Sequence, residues 1–245
     1  MLPLALACAC QASLVTPHEG TDARTSNNSD GGNSITPDAS TIDAPPACSN
    51  GRVVYLNFDG VTLAQANASD APTNTAAWLG VASVAIPPFQ QNATNRAGLI
   101  SQVTSKVTSG LSQFPITVVT TRPATAPYVM IVFGGTPALV NTRFIDAVMT
   151  LDCGDVVKSD VGIVFDNWSP MTTQKAADYA IGAVAYGLGL TGTHDTADCM
   201  CGWNNGCQPN AGPCTLSPSI TADLACSGET NPQNEVAAFH TAFCQ

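Results

Sequence analysis

The stretch "AIGAVAYGLGLTGTHDTADCM", residues 180–200, decides the fold. Its first half is small and apolar, and Ala176, Ala177, Ala180, Ala183 and Ala185 give a helix able to lie close to a sheet. The helix is expected from about Thr173, a plausible N-cap, to Leu188. Gly182 and Gly187 weaken it, since glycine costs about 1 kcal/mol relative to alanine inside a helix, and they leave room beside its middle. The chain then stops at Gly189-Leu190, turns past His194 and reaches Cys199-Met200.

Upstream, "RVVYLNFDG" (52–60) reads as a strand ending in an Asp-Gly turn, and residues 61–94 read as loop with "IPPF" as an elbow. Ala97, Ile100, Val103, Val107 and Leu111 are spaced by three or four and mark one helix face. Four further strands follow: "ITVVTT" (116–121), "YVMIVFGG" (128–135), "AVMTLDC" (147–153) and "VGIVFDN" (161–167). The second of these is almost continuously apolar, as in a strand buried on both faces. A last short helix is expected at Asn234–Phe243, with Val236, Phe239 and Phe243 on its apolar side. The fold class is α+β: a twisted mixed sheet of about five strands against two long helices, with a disulfide-rich C-terminal region from about residue 199.

Only 11% of the 245 residues are charged, and the net charge is −10. The 8 basic residues are scattered with no two adjacent, which argues against nucleic acid and against docking on an anionic membrane. No run approaches the 18 or so apolar residues of a membrane span.

Six of the 10 cysteines fall after residue 198, in a segment too loop-rich to fold on hydrophobic burial alone. A zinc ribbon would want paired Cys-x-x-Cys knuckles, and only Cys199-x-Cys201 is close-set. Disulfides are therefore expected among Cys48, Cys153, Cys199, Cys201, Cys207, Cys214, Cys226 and Cys244, in an oxidising compartment. Residues 11–47 hold almost no large apolar side chains and read as a flexible tether ahead of a single domain over 48–245. The first ten residues, "MLPLALACAC", resemble a bacterial lipoprotein signal, with Cys8 or Cys10 as the lipidation candidate. They lack a basic n-region, have a short apolar run and carry no Leu three positions before either cysteine.

The element order and the frame of 180–200 resemble the zincin metallopeptidases, specifically the metzincin or matrixin-like branch. The resemblance covers roughly residues 52–202 and is carried by "YLNFDG", "TVVTTRP", "DVGIVFDN", Gly189-Leu190 and Met200, which stands where a methionine turn would lie. In that family two histidines four apart on one helix face bind zinc, and a glutamate beside the first acts as general base toward the metal-bound water. With Gly189 as the fixed point, the resemblance puts the first histidine at Gly182, the glutamate at Ala183 and the second histidine at Tyr186. The third falls on Gly192, or on His194 if "TG" at 191–192 is an insertion. Catalytic zinc wants three protein ligands, and the chain has 3 histidines in all, at 18, 194 and 240. The expectation is a degenerate member with no catalytic residues and no cofactor, with His194 the one residual metal candidate. Its expected partner is a peptide or protein; the oligomeric state is left open. Two alternatives stand beside it: an active zinc peptidase with a rearranged site, and a structural surface lipoprotein with no ligand. Asp59, Asp152 and Asp166, each at a strand end, are read as turn residues. No Gly-x-Ser-x-Gly elbow is present.

Overall fold

All six side chains of Tyr128–Phe133 are buried, which requires cover on both faces of the strand they form. The computed structural model supplies that cover. It describes residues 51–142, 145–166, 171–204, 206–228 and 230–244. The lipoprotein-like segment, the tether, Cys8, Cys10 and Cys48 lie outside the described residues.

Strand β1 (Arg52–Asn57) is followed by three short strands, β2 (Val61–Gln65), β3 (Thr75–Ala76) and β4 (Ser83–Ile86). Helix α1 (Arg96–Gly110), β5 (Ile116–Val119), β6 (Tyr128–Phe133), β7 (Ala147–Val148) and β8 (Val161–Val164) come next, then α2 (Thr173–Tyr186) and α3 (Glu235–Phe243). The main sheet has five strands in the order β5-β1-β6-β8-β7. It is parallel except for β7, which runs antiparallel along one edge.

Period-two alternation divides β6 between two cores. Val129, Ile131 and Phe133 join Val54, Leu56 and the apolar faces of α1, α2 and α3. Tyr128, Met130 and Val132 join Tyr55 and the small sheet β3-β2-β4 on the opposite face. The molecule is therefore layered as helices, main sheet, small sheet.

That third layer corrects the reading of 61–94 as loop. Leu63, Ala71, Ala76, Leu79 and Ile86 are all at most 3% exposed and cap the sheet. The strands that carry Leu63, Ala76 and Ile86 are only two to five residues long, too short for an alternating pattern to register in sequence. Three smaller corrections concern boundaries. The N-cap of α2 is Thr172, whose hydroxyl accepts from Lys175 N at 3.1 Å, not Thr173. The helix stops at Tyr186, two residues before Leu188, and Gly189 takes a left-handed φ of 87° just beyond it. Strand β7 is two residues long, not seven: beyond Val148 the chain leaves β8, and Asp152 N donates to Tyr186 O at the end of α2 at 3.4 Å.

The disulfide expectation holds for the C-terminal region. Cys153 is bonded to Cys226, Cys199 to Cys214 and Cys201 to Cys207, and Cys244 is also disulfide-bonded. No helix among the described residues is long and apolar enough to cross a membrane.

Candidate functional site

Helix α2 is buried along most of its length, from Ala176 to Ala185. Its middle faces the disulfide-bonded segment that follows Met200. At Gly182 the indole of Trp203 lies directly against the helix. A methyl group there would fall inside the van der Waals envelope of Trp203 Nε1, and 2.7 Å from both Trp203 Cδ1 and the Cys199 carbonyl oxygen. Tyr186, one turn on, stacks against the same indole with ring centroids 4.8 Å apart and planes 26° from parallel. Ala183 is fully buried, and so is Met200. Gly192 packs against the backbone of Trp203 and Asn204, where a Cβ would meet the Trp203 carbonyl oxygen at 2.8 Å. His194 is largely exposed. Its Nε2 sits 3.1 Å from Asn204 Nδ2 and 3.5 Å from Asp223 Oδ1, and Asn204 Nδ2 also donates to Asp223 Oδ2.

The residues at 182, 183, 186 and 192 do not fit zinc. None carries a ligand atom suited to it, and the space over Gly182 is filled by an indole. The polar atom at that spot is Trp203 Nε1, a buried donor with no hydrogen-bond partner among the described residues. An indole N–H donates only and cannot ligate a cation. His194 contributes one imidazole and faces away toward Asp223.

Elsewhere among the described residues, one group of three carboxylates converges: Asp152, Asp155 and Asp160, with ligand atoms within 4.8 Å of one another. Sequence reading treated Asp152 as a turn residue. Its Oδ2 does accept from Val157 N at 2.6 Å. Asp155 is already engaged, by both terminal nitrogens of Arg52 at 2.8 and 2.6 Å and by Lys158 Nζ at 2.6 Å. Asp160 lies behind this ion pair, 2% exposed. Burial first, then repulsion from Asp152 and Asp155, pushes its carboxyl up to about 8.

A concavity of about 590 Å³ opens next to this packed centre. The N-terminal half of α2 forms its floor through Lys175, Asp178 and Tyr179. The segment from Asp198 to Cys214, closed by two disulfides, forms one wall, and Ile145–Ala147 at the start of edge strand β7 forms the other. Lys175 Nζ pairs with Asp146 Oδ2 at 2.9 Å, and the Tyr179 hydroxyl donates to the same carboxylate at 2.9 Å. Burial, then the Asp146 charge, raises the Tyr179 phenol well above its usual range. Asp178 accepts from Gln174 Nε2 at 2.9 Å and from Cys214 N at 3.2 Å.

Asp198 supports the Met200 turn from beneath. Its Oδ1 accepts from Met200 N at 2.8 Å and from the Thr193 hydroxyl at 3.1 Å. Its carboxylate charge also acts on Glu235, the first residue of α3, which is fully buried. Burial, then the Asp198 charge, raises Glu235 to about 8, and burial raises Asp198 as well.

Among the described residues no strand pairs with the outer edge of β7. Phe165 N donates to Asp146 O at 2.9 Å, and Ala147 pairs opposite Val164. Antiparallel alternation then turns the N–H and C=O of Ala147 outward, away from β8. No known protein family and no curated protein matches this chain in sequence.

Trp203, Asp146, Asp178 and Glu235 escaped sequence reading. Each has a partner far along the chain, and only Trp203 carried a signal: a bulky aromatic close behind a helix with glycine at its centre.

Proposed function

We propose that this chain is a non-catalytic, exported relative of the zincin peptidases that holds extended peptide segments along β7. One observation carries the reading: the Trp203 indole occupies the helix surface at Gly182 while the cleft and strand edge beside it stay open. A parallel sheet with one antiparallel edge strand, a helix behind it and a buried methionine after the helix all agree with the zincin resemblance. The outward Ala147 N–H and C=O offer the main-chain pairing by which a sheet edge takes up an added strand. The disulfides suit an oxidising, extracellular setting, with Cys8 or Cys10 as a lipid anchor.

Binding of end-capped extended peptides to the purified, untagged protein tests this, with Ala147→Pro as the paired variant. The substitution removes the outward N–H without touching the ladder to β8, so it should abolish binding and leave thermal stability nearly unchanged. Stoichiometric zinc that a chelator removes together with peptidase activity would overturn the reading.

A further inference from the structure

The cleft beside β7 has a charge imbalance that selects its occupant. Among the described residues, its lining carries the carboxylates of Asp146, Asp178 and Asp198 and one ammonium, Lys175. That ammonium is already committed to Asp146 at 2.9 Å. Asp178 is contacted only by neutral donors, Gln174 Nε2 and the amide of Cys214. Lys106 is held on Gln174 Oε1 at 2.7 Å. Asp198 is contacted by the Thr193 hydroxyl and the Met200 amide, both neutral donors. The aromatic lining is of the same character. Tyr179 already receives the Lys175 ammonium 5.7 Å from its ring centre, and ring faces attract cations.

The wall formed by the Asp198–Cys214 segment is closed by Cys199–Cys214 and Cys201–Cys207. The cleft therefore need not be ordered on binding, and a charge placed in it meets preoriented carboxylates.

We infer that the cleft receives a lysine or arginine side chain of an extended peptide bound along β7. This rests on the peptide-binding reading above and specifies its ligand: the backbone pairs with the strand edge, and the cation enters the cleft beside Asp178.

The test uses three end-capped alanine-based peptides that differ only in a central lysine, norleucine or glutamate, titrated calorimetrically into the full chain. Lysine should bind about tenfold or more tighter than norleucine, as expected for one partly desolvated charge contact. Glutamate should bind weakest, and the lysine advantage should shrink between low and high salt. Asp178→Asn keeps an oxygen to accept from Cys214 N, so it should remove most of the lysine preference and leave norleucine affinity unchanged. Lys175→Met should increase the lysine preference, which distinguishes an electrostatic effect from damage to the fold. Equal affinity for lysine and norleucine, or an Asp178→Asn loss shared by all three peptides, overturns the charge selection while leaving peptide binding intact. If none of the three binds, peptide binding and the charge selection fall together.

Discussion

Replacing Gly182 by alanine sets two known effects against each other. Helix propensity alone favours alanine by about 1 kcal/mol at an interior position. Packing opposes it, because the added methyl falls within the envelope of Trp203 Nε1 and 2.7 Å from the Cys199 carbonyl oxygen. Neither neighbour can withdraw easily. Trp203 is backed by Tyr186, while Cys199 is bonded to Cys214 and donates its N–H to Thr215 O at 3.0 Å. Overpacking of this kind costs about 1–3 kcal/mol, and contact with fixed backbone places it at the upper end. The net expectation is a loss of about 2 kcal/mol, or roughly 4–8 °C in Tm for a unit of this size. Gly98 in α1 is the internal control. It is exposed, and a Cβ there meets nothing within 4 Å, so Gly98→Ala should stabilise by up to about 1 kcal/mol. In a Trp203→Ala background the Gly182→Ala penalty should fall by at least half, since the indole contact is then gone and the Cys199 contact remains. Thermal melts of the four variants decide the matter. A rise in Tm for Gly182→Ala in the parent chain would refute the placement of Trp203 on the helix, and with it the argument that the centre of α2 is filled.

Other perturbations follow from the same structure. Replacing both Cys153 and Cys226 by serine frees a 73-residue separation and should lower stability by about 4 kcal/mol, read from urea unfolding. Arg52→Met strips the bidentate partner from buried Asp155 and should cost about 3–5 kcal/mol, whereas changing Arg52 and Asp155 together to apolar residues should recover much of it. Asp160 keeps its proton in the folded state far above the usual carboxyl range. Its contribution is therefore fully present below about pH 3.8 and lost progressively as the pH rises toward about 8, at up to about 1.4 kcal/mol per unit. Asp160→Asn should flatten that slope in denaturation curves taken across the range, and an unchanged slope would show that Asp160 ionises freely.

Legibility in the sequence followed the length of the signal. The main sheet and both long helices were readable because β6 and α2 carry unbroken patterns, one apolar throughout and one rich in alanine. The small sheet was not, because two to five residues of mixed character cannot display a period, and burial there depends on the sheet beneath. Arg52 and Asp155 show a second limit. They lie 103 residues apart, and no local pattern couples a strand's first residue to a distant turn. At the site, the residues standing at 182, 183 and 186 could be read off directly, since helical spacing is local. What replaced the expected ligands could not, since Trp203 reaches α2 only through the fold of the disulfide-bonded segment.

The glycines give that replacement a physical form. A Cβ at Gly182 would strike Trp203; one at Gly202 would lie 2.5 Å from the Tyr179 ring; one at Gly192 would lie 2.8 Å from Asn204 Cβ. Close approach is thus prepared from both sides, on the helix and on the segment that docks against it. The result is a wall seated on α2 by aromatic contact and closed by two disulfides, with Asp198 bracing its turn through Met200 N and the Thr193 hydroxyl. A wall held this way cannot collapse into the space beside it. The same packing that fills the centre of the helix therefore keeps the cleft over its N-terminal half open. The filled surface of α2 at Gly182 and the preformed cleft are then two consequences of one arrangement, which is why Trp203→Ala should weaken peptide binding although the indole lines only one side of the cleft.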